Sequence, residues 1–450
     1  MLELDSALEF DAARDEEFFA ALPARPGVFL LEMAGAAARP YLARTADIRR
    51  AAERLLRLPE SVSKRLNLRS VAARIRYRVT GSKLEQTLAL YQNARLHMPE
   101  RYRDLIRLRR PALLKVNLRS DYPRCYVTRG LRADESFYFG PFASRRSADG
   151  FAEGFLDLFK MRRCQIKIRR DPKYPGCIYS EMKMCLAPCF AGCTKEEYEM
   201  EVGRVLETLE STGASLRLQL ERDRQAASES LNFEQAAAIH KRLEKVSAAL
   251  WGLPEIARRI EKIDAVILQR AAGEKTIALF PVRAGLLAEP IFLDFSVDAV
   301  SSGSEVPKSG AGGSEQSSQS RSVEAFLRRQ LDPDTAAHDT KSGDAETTAP
   351  PSVDAQIEAA QQTDANPAAP TLSEWRARYG LRAAPAELSE HLSMLARWFY
   401  SKPREGEIYF REKDWPYRRI LRACSRLLQP APSAPPPAKA PPRANLPPMQ

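Results

Sequence analysis

Apolar positions along the chain change their period several times, and each change predicts an element boundary. From about Pro26 to Leu113, short apolar runs (GVFLLEM, PYLA) alternate with helical stretches rich in Leu and Arg, the pattern of a small unit mixing strands and helices. Leu114 to Arg170 opens with three strand-like runs, LLKVNL, RCYVTR and FYFGPF. A helix is predicted next, over about Ser147 to Phe159, because Phe151, Phe155, Leu158 and Phe159 recur at helical spacing. Thr194 to Leu250 contains no Pro, and periodic Val, Leu and Ala positions flank a break near Ser228 to Asn232, which predicts two helices in an antiparallel hairpin. Ile263 to Phe295 reads as three β-rich runs with turns near Gly273 and Gly285, a small antiparallel sheet. Ser301 to Pro370 lacks the apolar mass to fold, apart from a helical patch at Val323 to Leu331, and is expected to be a disordered linker. Helical periodicity resumes from Leu372 to Leu428 around Trp375, Leu388, Leu392, Leu395, Trp398 and Phe399, before a Pro/Ala-rich tail from Pro430. The expected fold class is α+β and multidomain, with units at 21–110, 111–195, 196–252 and 258–298, a linker at 299–371, a helical segment at 372–428 and a tail at 429–450.

Composition adds constraints rather than a function. With 44% hydrophobic and 28% charged residues among 450, the chain is an ordinary globular sequence long enough for several cores. No run of eighteen apolar residues occurs and the N-terminal stretch is acidic, so the expectation is a cytoplasmic protein with no membrane span. The formal net charge of +11 favours a polyanionic partner, and arginines crowd the stretch from Arg44 to Arg170. Between Arg65 and Arg129 they are interleaved with Tyr77, Tyr91, Tyr102 and Tyr126, which suits either a phosphate-tracking surface with stacking platforms or a set of solvated helix faces.

Of seven cysteines, five fall between Cys164 and Cys193. In a reducing compartment, thiols clustered in a loop-rich segment read as ligands for zinc or an iron–sulfur cluster before they read as disulfides. Buried free thiols are the other reading. Cys125 and Cys424 stand apart and read as plain thiols. The histidines His97, His240, His338 and His391 form no metal or nucleophile pattern, and no phosphate-cradling glycine run is present, so ATP use has no support.

Tyr138-Phe139-Gly140-Pro141-Phe142, the helix end Phe159-Lys160-Met161-Arg162-Arg163-Cys164, then Cys177 and Cys185-Leu186-Ala187-Pro188-Cys189 resemble, in this order, the cysteine-bearing region of the bacterial excinuclease subunit UvrC family. The resemblance implies a 4Fe–4S cluster on Cys164, Cys177, Cys185 and Cys189, whereas spacing alone leaves zinc open. Cys193 lies outside the family pattern as a substitute ligand. Leu231-Asn232-Phe233-Glu234-Gln235-Ala236-Ala237 is similar to the UVR motif of the same family, which implies a hairpin docking on a UvrB-like protein, with Leu231, Phe233, Glu234, Ala236 and Ala237 in the contact. His240-Lys241 replaces the family's Arg-Asp there.

A further likeness involves the family's GIY-YIG nuclease signature. Pro26-Gly27-Val28-Phe29-Leu30-Leu31 and Tyr41-Leu42-Ala43 sit where that signature is expected, with Phe29 in place of its first Tyr and Ala43 in place of its Gly. The family's Arg position falls on Ala51, beside Arg49 and Arg50, and its metal Glu falls on Leu90, while Glu85 matches an earlier Glu. The resemblance therefore implies a degenerate nuclease domain over 21–110. A working centre would have to use Tyr41, Arg49 or Arg50, and Glu85 with Mg²⁺ or Mn²⁺.

The resemblance covers roughly Ala21 to Phe295 and extends to Glu387 to Phe410. Neither the RNase H-like nor the helix-hairpin-helix portion of the family is recognisable beyond it. The expected function is that of a UvrC-like DNA-binding protein of nucleotide excision repair which docks on a UvrB-type partner without cutting. The rivals are an active GIY-YIG endonuclease incising damaged DNA and an iron–sulfur redox-sensing DNA-binding protein.

Overall fold

A computed structural model describes residues 1–35, 38–58, 66–295, 315–332, 371–379, 381 and 383–429. Most of the expected linker and the tail from 430 onward lie outside the described residues. The secondary structure mixes helices and three antiparallel sheets, in keeping with the α+β expectation.

The first sheet has the order β1 (Ser6–Glu9), β4 (Ala72–Val79), β2 (Gly27–Met33), β3 (Tyr41–Thr45). Because β2 is covered on both sides from Gly27 to Leu31, that stretch is apolar without alternation, and Glu32 comes only where the strand is half-buried. Phe29 and Leu31 enter one core, with α1 (Asp15–Ala21) and α2 (Ile48–Leu56); Val28 and Leu30 enter another, with α3 (Lys83–His97). α2 starts where the Asp47 side chain accepts from the Arg50 amide at 2.9 Å, and α3 where Ser82 accepts from Glu85 at 3.2 Å. The short α4 (Tyr102–Ile106) follows. β1 precedes the segment that sequence pattern marks as the start of this unit: four residues paired to β4 carry too little periodicity to be recognised.

The second sheet runs β6 (Cys125–Thr128), β5 (Ala112–Val116), β7 (Phe137–Phe142), β8 (Arg258–Arg259), with α5 (Arg145–Leu156) packed against it. Rings of Phe151, Phe155 and Phe159 succeed one another with centroids 5.5 and 5.0 Å apart, and carry the core from the sheet to the first cysteine. After the short α6 (Ile178–Glu181) come three helices, α7 (Lys195–Glu210), α8 (Ala214–Glu229) and α9 (Phe233–Leu250), where periodicity predicts two. The additional break is at Thr212-Gly213, both with positive φ, and a Cβ on Gly213 would lie 2.0 Å from a Leu250 methyl carbon. A single Gly among apolar-periodic residues did not announce a chain reversal.

β9 (Ala265–Arg270), β10 (Thr276–Arg283), β11 (Leu286–Leu287) and β12 (Ile291–Asp294) form the expected third sheet, with turns at Gly273 and Gly285. The C-terminal segment is not purely helical. Between α12 (Pro385–Phe399) and α13 (Tyr417–Leu428) it supplies β13 (Glu407–Phe410), which pairs with the other edge of β9. α10 (Glu315–Leu331) and α13 cover one face of this sheet, α12 the other, and α11 (Leu372–Arg378) packs on α7. β13 depends on Gly406, whose φ is +81° and where a Cβ would meet the Leu268 carbonyl oxygen at 2.0 Å. Val28 and Leu30 of the first sheet, Ile267 and Phe280 of the third, and Leu392 and Trp398 of α12 belong to one continuous core.

Candidate cysteine centre and nucleic-acid face

The cysteine-bearing loops are held from outside by two polar anchors. Tyr198 on α7, fully buried, donates its hydroxyl to the Pro123 carbonyl at 2.7 Å and accepts from the Arg162 amide at 3.1 Å. Arg162, also buried, donates Nε to the Tyr122 carbonyl at 2.7 Å and Nη1 to the carbonyls of Cys164 and Ile166, each at 3.1 Å. A guanidinium satisfied by main-chain carbonyls is a rigid strut, and it fixes the backbone on which Cys164 sits. Further on, the chain folds back through left-handed residues at Gly176, Lys183, Ala187 and Ala191. Cys177 opens α6, with Ser180 closing a reciprocal cap.

These turns bring Cys164, Cys177 and Cys189 within electrostatic reach of Cys185. Burial, and then these neighbouring sulfurs, push the Cys185 thiol up to about 11, although the Ala187 amide pulls the other way. Cys189 is likewise raised by burial first, with Cys177 and Cys164 adding to it. N–H donors face two of the sulfurs: Ala187 to Cys185 at 3.3 Å, and Arg162 Nη1 to Cys164 at 3.8 Å. Cys193 is buried beside Cys189 and Glu197, with Arg170 donating to its carbonyl at 3.0 Å. Among the described residues no three His, Cys, Asp or Glu side chains are drawn together as closely as bound ligands would be. Cys164, Cys177 and Cys185 are half-buried and Cys189 is buried, so their chemistry as a donor set is that of four soft sulfurs on neighbouring loops. Cys125 and Cys424 are separate buried core thiols, both raised by burial, Cys424 to about 12.

α8 and α9 pack antiparallel and project the turn at their junction into solvent. Asn232 caps α9, accepting from the Gln235 amide at 3.2 Å. Leu231 takes a left-handed φ of +58°, and its side chain and that of Phe233 are 72% and 65% exposed. Two large apolar side chains standing in water at one turn are the kind of feature a partner covers. Glu234 and Ala237 are exposed beside them, and Ala236 is half-buried.

The residues that match nuclease positions are not brought together. Tyr41 lies opposite Leu31, and its ring packs 6.1 Å from Phe29 on the α1/α2 face of the first sheet. Glu85 begins α3 on the other face, buried, accepting from the Gly81 amide at 2.8 Å with Arg78 Nε at 3.6 Å. Arg49 spends its guanidinium on the carbonyls of Leu22 and Ala20, at 2.8 and 3.1 Å, and Arg50 is exposed on α2.

The arginine-rich run is likewise not one continuous strip. Arg69 pairs with Asp15 at 2.6 Å, Arg95 with Glu387 at 2.9 Å and Arg103 with Glu390 at 3.1 Å. Tyr91 is buried and donates to Glu390, as does Tyr102, so neither ring is a free platform. Arginines without a carboxylate among the described residues gather instead around one cleft of about 1020 Å³: Arg44, Arg107, Arg109, Arg110, Arg129 and Arg397. Sequence reading did not foresee Arg397, because only the packing of α12 brings it beside Arg44; a lone exposed Arg on an otherwise apolar helical period was the one available signal.

Residues 112–208 match the family model for the UvrC/Cho excinuclease middle domain. Over this stretch the chain is similar to the UvrC family. The matched stretch contains β5 to β7, all five clustered cysteines and most of α7. Similarity to UvrC proteins extends beyond it. UvrABC system protein C of Oleidesulfovibrio alaskensis is 29% identical over 279 residues, which is 61% of this chain and 39% of that protein. The UvrABC system protein C of Moorella thermoacetica is 27% identical over 264 residues, 59% of this chain and 42% of that one; that of Desulforudis audaxviator is 30% identical over 230 residues, 51% and 37%. The chain thus spans less than half the length of these UvrC relatives. No solved structure matches it. Among the described residues no helix is long and apolar enough to cross a membrane.

Proposed function

We propose that this chain is a UvrC-like DNA-binding protein of nucleotide excision repair that docks on a UvrB-type partner and does not itself cut DNA. The reading rests first on residues 112–208, which match the UvrC middle domain and hold Cys164, Cys177, Cys185 and Cys189. It draws further support from the exposed Leu231 and Phe233 at the tip of a hairpin directly downstream, a surface suited to helical pairing with a partner. The non-cleaving role is supported by the separation of Tyr41 and Glu85 by the thickness of a β-sheet, since metal-assisted hydrolysis needs the ligand carboxylate and the proton-handling hydroxyl around one ion.

Cys164, Cys177, Cys185 and Cys189 would hold a 4Fe–4S cluster or zinc, which when bound supplies a cross-link between loops that otherwise have a small core. The rest of the work belongs to the chain's own residues. The Ala187 amide directs its N–H at the Cys185 sulfur, an interaction that favours the thiolate there, and Arg162 directs Nη1 at the Cys164 sulfur. A metal or cluster held there would require the Cys185 thiolate, whose proton burial otherwise retains.

The test is an incision and gel-shift assay on damaged duplex with the full chain, a UvrB-type protein and Mg²⁺ or Mn²⁺. A shifted complex without nicking is expected. Nicking by the wild type that disappears in Glu85→Gln would overturn the non-cleaving assignment in favour of an active endonuclease.

A further inference from the structure

The six arginines without a carboxylate partner among the described residues come from four separate segments: Arg44 from β3, Arg107, Arg109 and Arg110 from the α4–β5 connection, Arg129 from the end of β6, and Arg397 from α12. No acidic side chain lines the cleft among the described residues. Arg107 ends α4 in a left-handed conformation, φ 49° and ψ 52°, and an irregular run to β5 follows in which Arg109 and Arg110 stand exposed. Folding holds these like charges close together: burial, and after it the neighbouring Arg397, lower the pKa of Arg44. An anion in the cleft relieves that repulsion.

The floor is of a different character. Ile106, Ala112, Phe142 and Ala396 are buried apolar side chains beneath the ring of charge. Tyr400 stands at one side, its ring fixed in place because its hydroxyl donates to the Pro141 carbonyl at 2.9 Å. In a duplex the bases are stacked and paired inside, so only its phosphates would use such a cleft. A strand with unpaired bases uses both parts, phosphates on the guanidinium groups and base faces on the apolar floor. The volume, about 1020 Å³, is the size of a large ligand pocket, suited to a few nucleotides of one strand.

We propose that this cleft is a binding site for single-stranded DNA, seating phosphates on Arg107, Arg110 and Arg397 and unpaired bases against Tyr400 and the apolar floor. The proposal rests on the DNA-binding reading above and assigns it a strand state and a place.

The experiment measures binding of a short labelled oligo(dT), the matching duplex and oligo(U) to the full chain over a range of salt concentrations. The variants are Arg110→Glu/Arg397→Glu, the milder Arg110→Gln/Arg397→Gln, and Arg54→Glu as a charge control on exposed α2 surface. The Glu pair is expected to weaken oligo(dT) binding by about tenfold or more, the Gln pair to flatten the salt slope by about 0.7 for each arginine lost, and Arg54→Glu to do neither. Unchanged far-UV dichroism keeps misfolding out of the comparison. Wild-type binding to oligo(dT) that both pairs leave unaltered overturns the cleft assignment while the DNA-binding reading survives. Equal losses on duplex overturn the single-strand assignment, tighter binding to oligo(U) overturns the choice of DNA, and a wild type that binds no DNA takes the wider reading down as well.

Discussion

Tyr41 and Glu85 stand on opposite faces of the first sheet, the tyrosine among Phe29 and the α1/α2 core and the carboxylate at the start of α3. Glu85 is thereby a structural acid. It braces the turn before α3 through the Gly81 amide and lies within 3.6 Å of Arg78, on the strand beside β2.

A pH signature follows. Burial holds the Glu85 carboxyl above its ordinary value of 4.5, against the smaller opposing pulls of Gly81 and Arg78. The folded chain therefore keeps this proton more tightly than the unfolded chain, and the group's contribution to stability falls as pH rises from 4.5 to the elevated folded value, then stays level. In thermal unfolding followed across pH, wild type should lose stability relative to Glu85→Gln within that window and run parallel to it above. A difference that does not change with pH would contradict the assignment.

Tyr198→Phe should destabilise the cysteine module without touching a thiol. The substitution leaves the Arg162 amide and the Pro123 carbonyl without their buried partner, which costs about 1–3 kcal/mol. Differential scanning calorimetry should record a lower Tm, and limited proteolysis should find its new cleavage sites between residues 160 and 193.

Phe233→Asp tests the hairpin tip. Because Phe233 is 65% exposed, the variant should keep wild-type helicity and Tm. Its affinity for a UvrB-type partner, measured by titration calorimetry, should fall by about tenfold or more, the loss of one apolar anchor from a helical interface. Undiminished binding would place docking elsewhere.

Cys185→Ala tests the metal centre proposed for the four thiols. Anaerobically purified wild type is expected to be brown, with iron and sulfide in the ratio of a 4Fe–4S cluster, and the variant colourless. A colourless wild type that contains one equivalent of zinc would decide for zinc, and a metal-free wild type would remove the centre altogether. Cys424→Ala should change neither colour nor metal content, because its thiol is buried in the third core.

Local features were the legible ones. Asn232, Phe233 and the Ala pair identified the hairpin turn because a cap and a helical period lie within one short stretch. Gly273 and Gly285 identified the turns of the third sheet for the same reason. What escaped depends on partners remote in the chain. β1 and β13 are four-residue strands whose identity comes from the edges of β4 and β9. Nothing near Arg95 or Arg103 in sequence announces Glu387 or Glu390, so an arginine-rich run reads as free charge until packing pairs much of it internally. Arg397 illustrates the converse, an unremarkable helix residue which tertiary contact turns into part of a charged ring.

β13 has a consequence during synthesis. The edge of β9 that it occupies is made early, whereas Glu407–Phe410 emerges only after the whole intervening segment has been translated. For that interval the nascent chain carries an open ladder of amides and carbonyls beside an apolar sheet face awaiting α13, the situation in which strands recruit neighbouring chains. Ribosome-bound intermediates stalled before residue 407 should therefore engage chaperones or self-associate, and release into the soluble fraction should coincide with the arrival of the last strand.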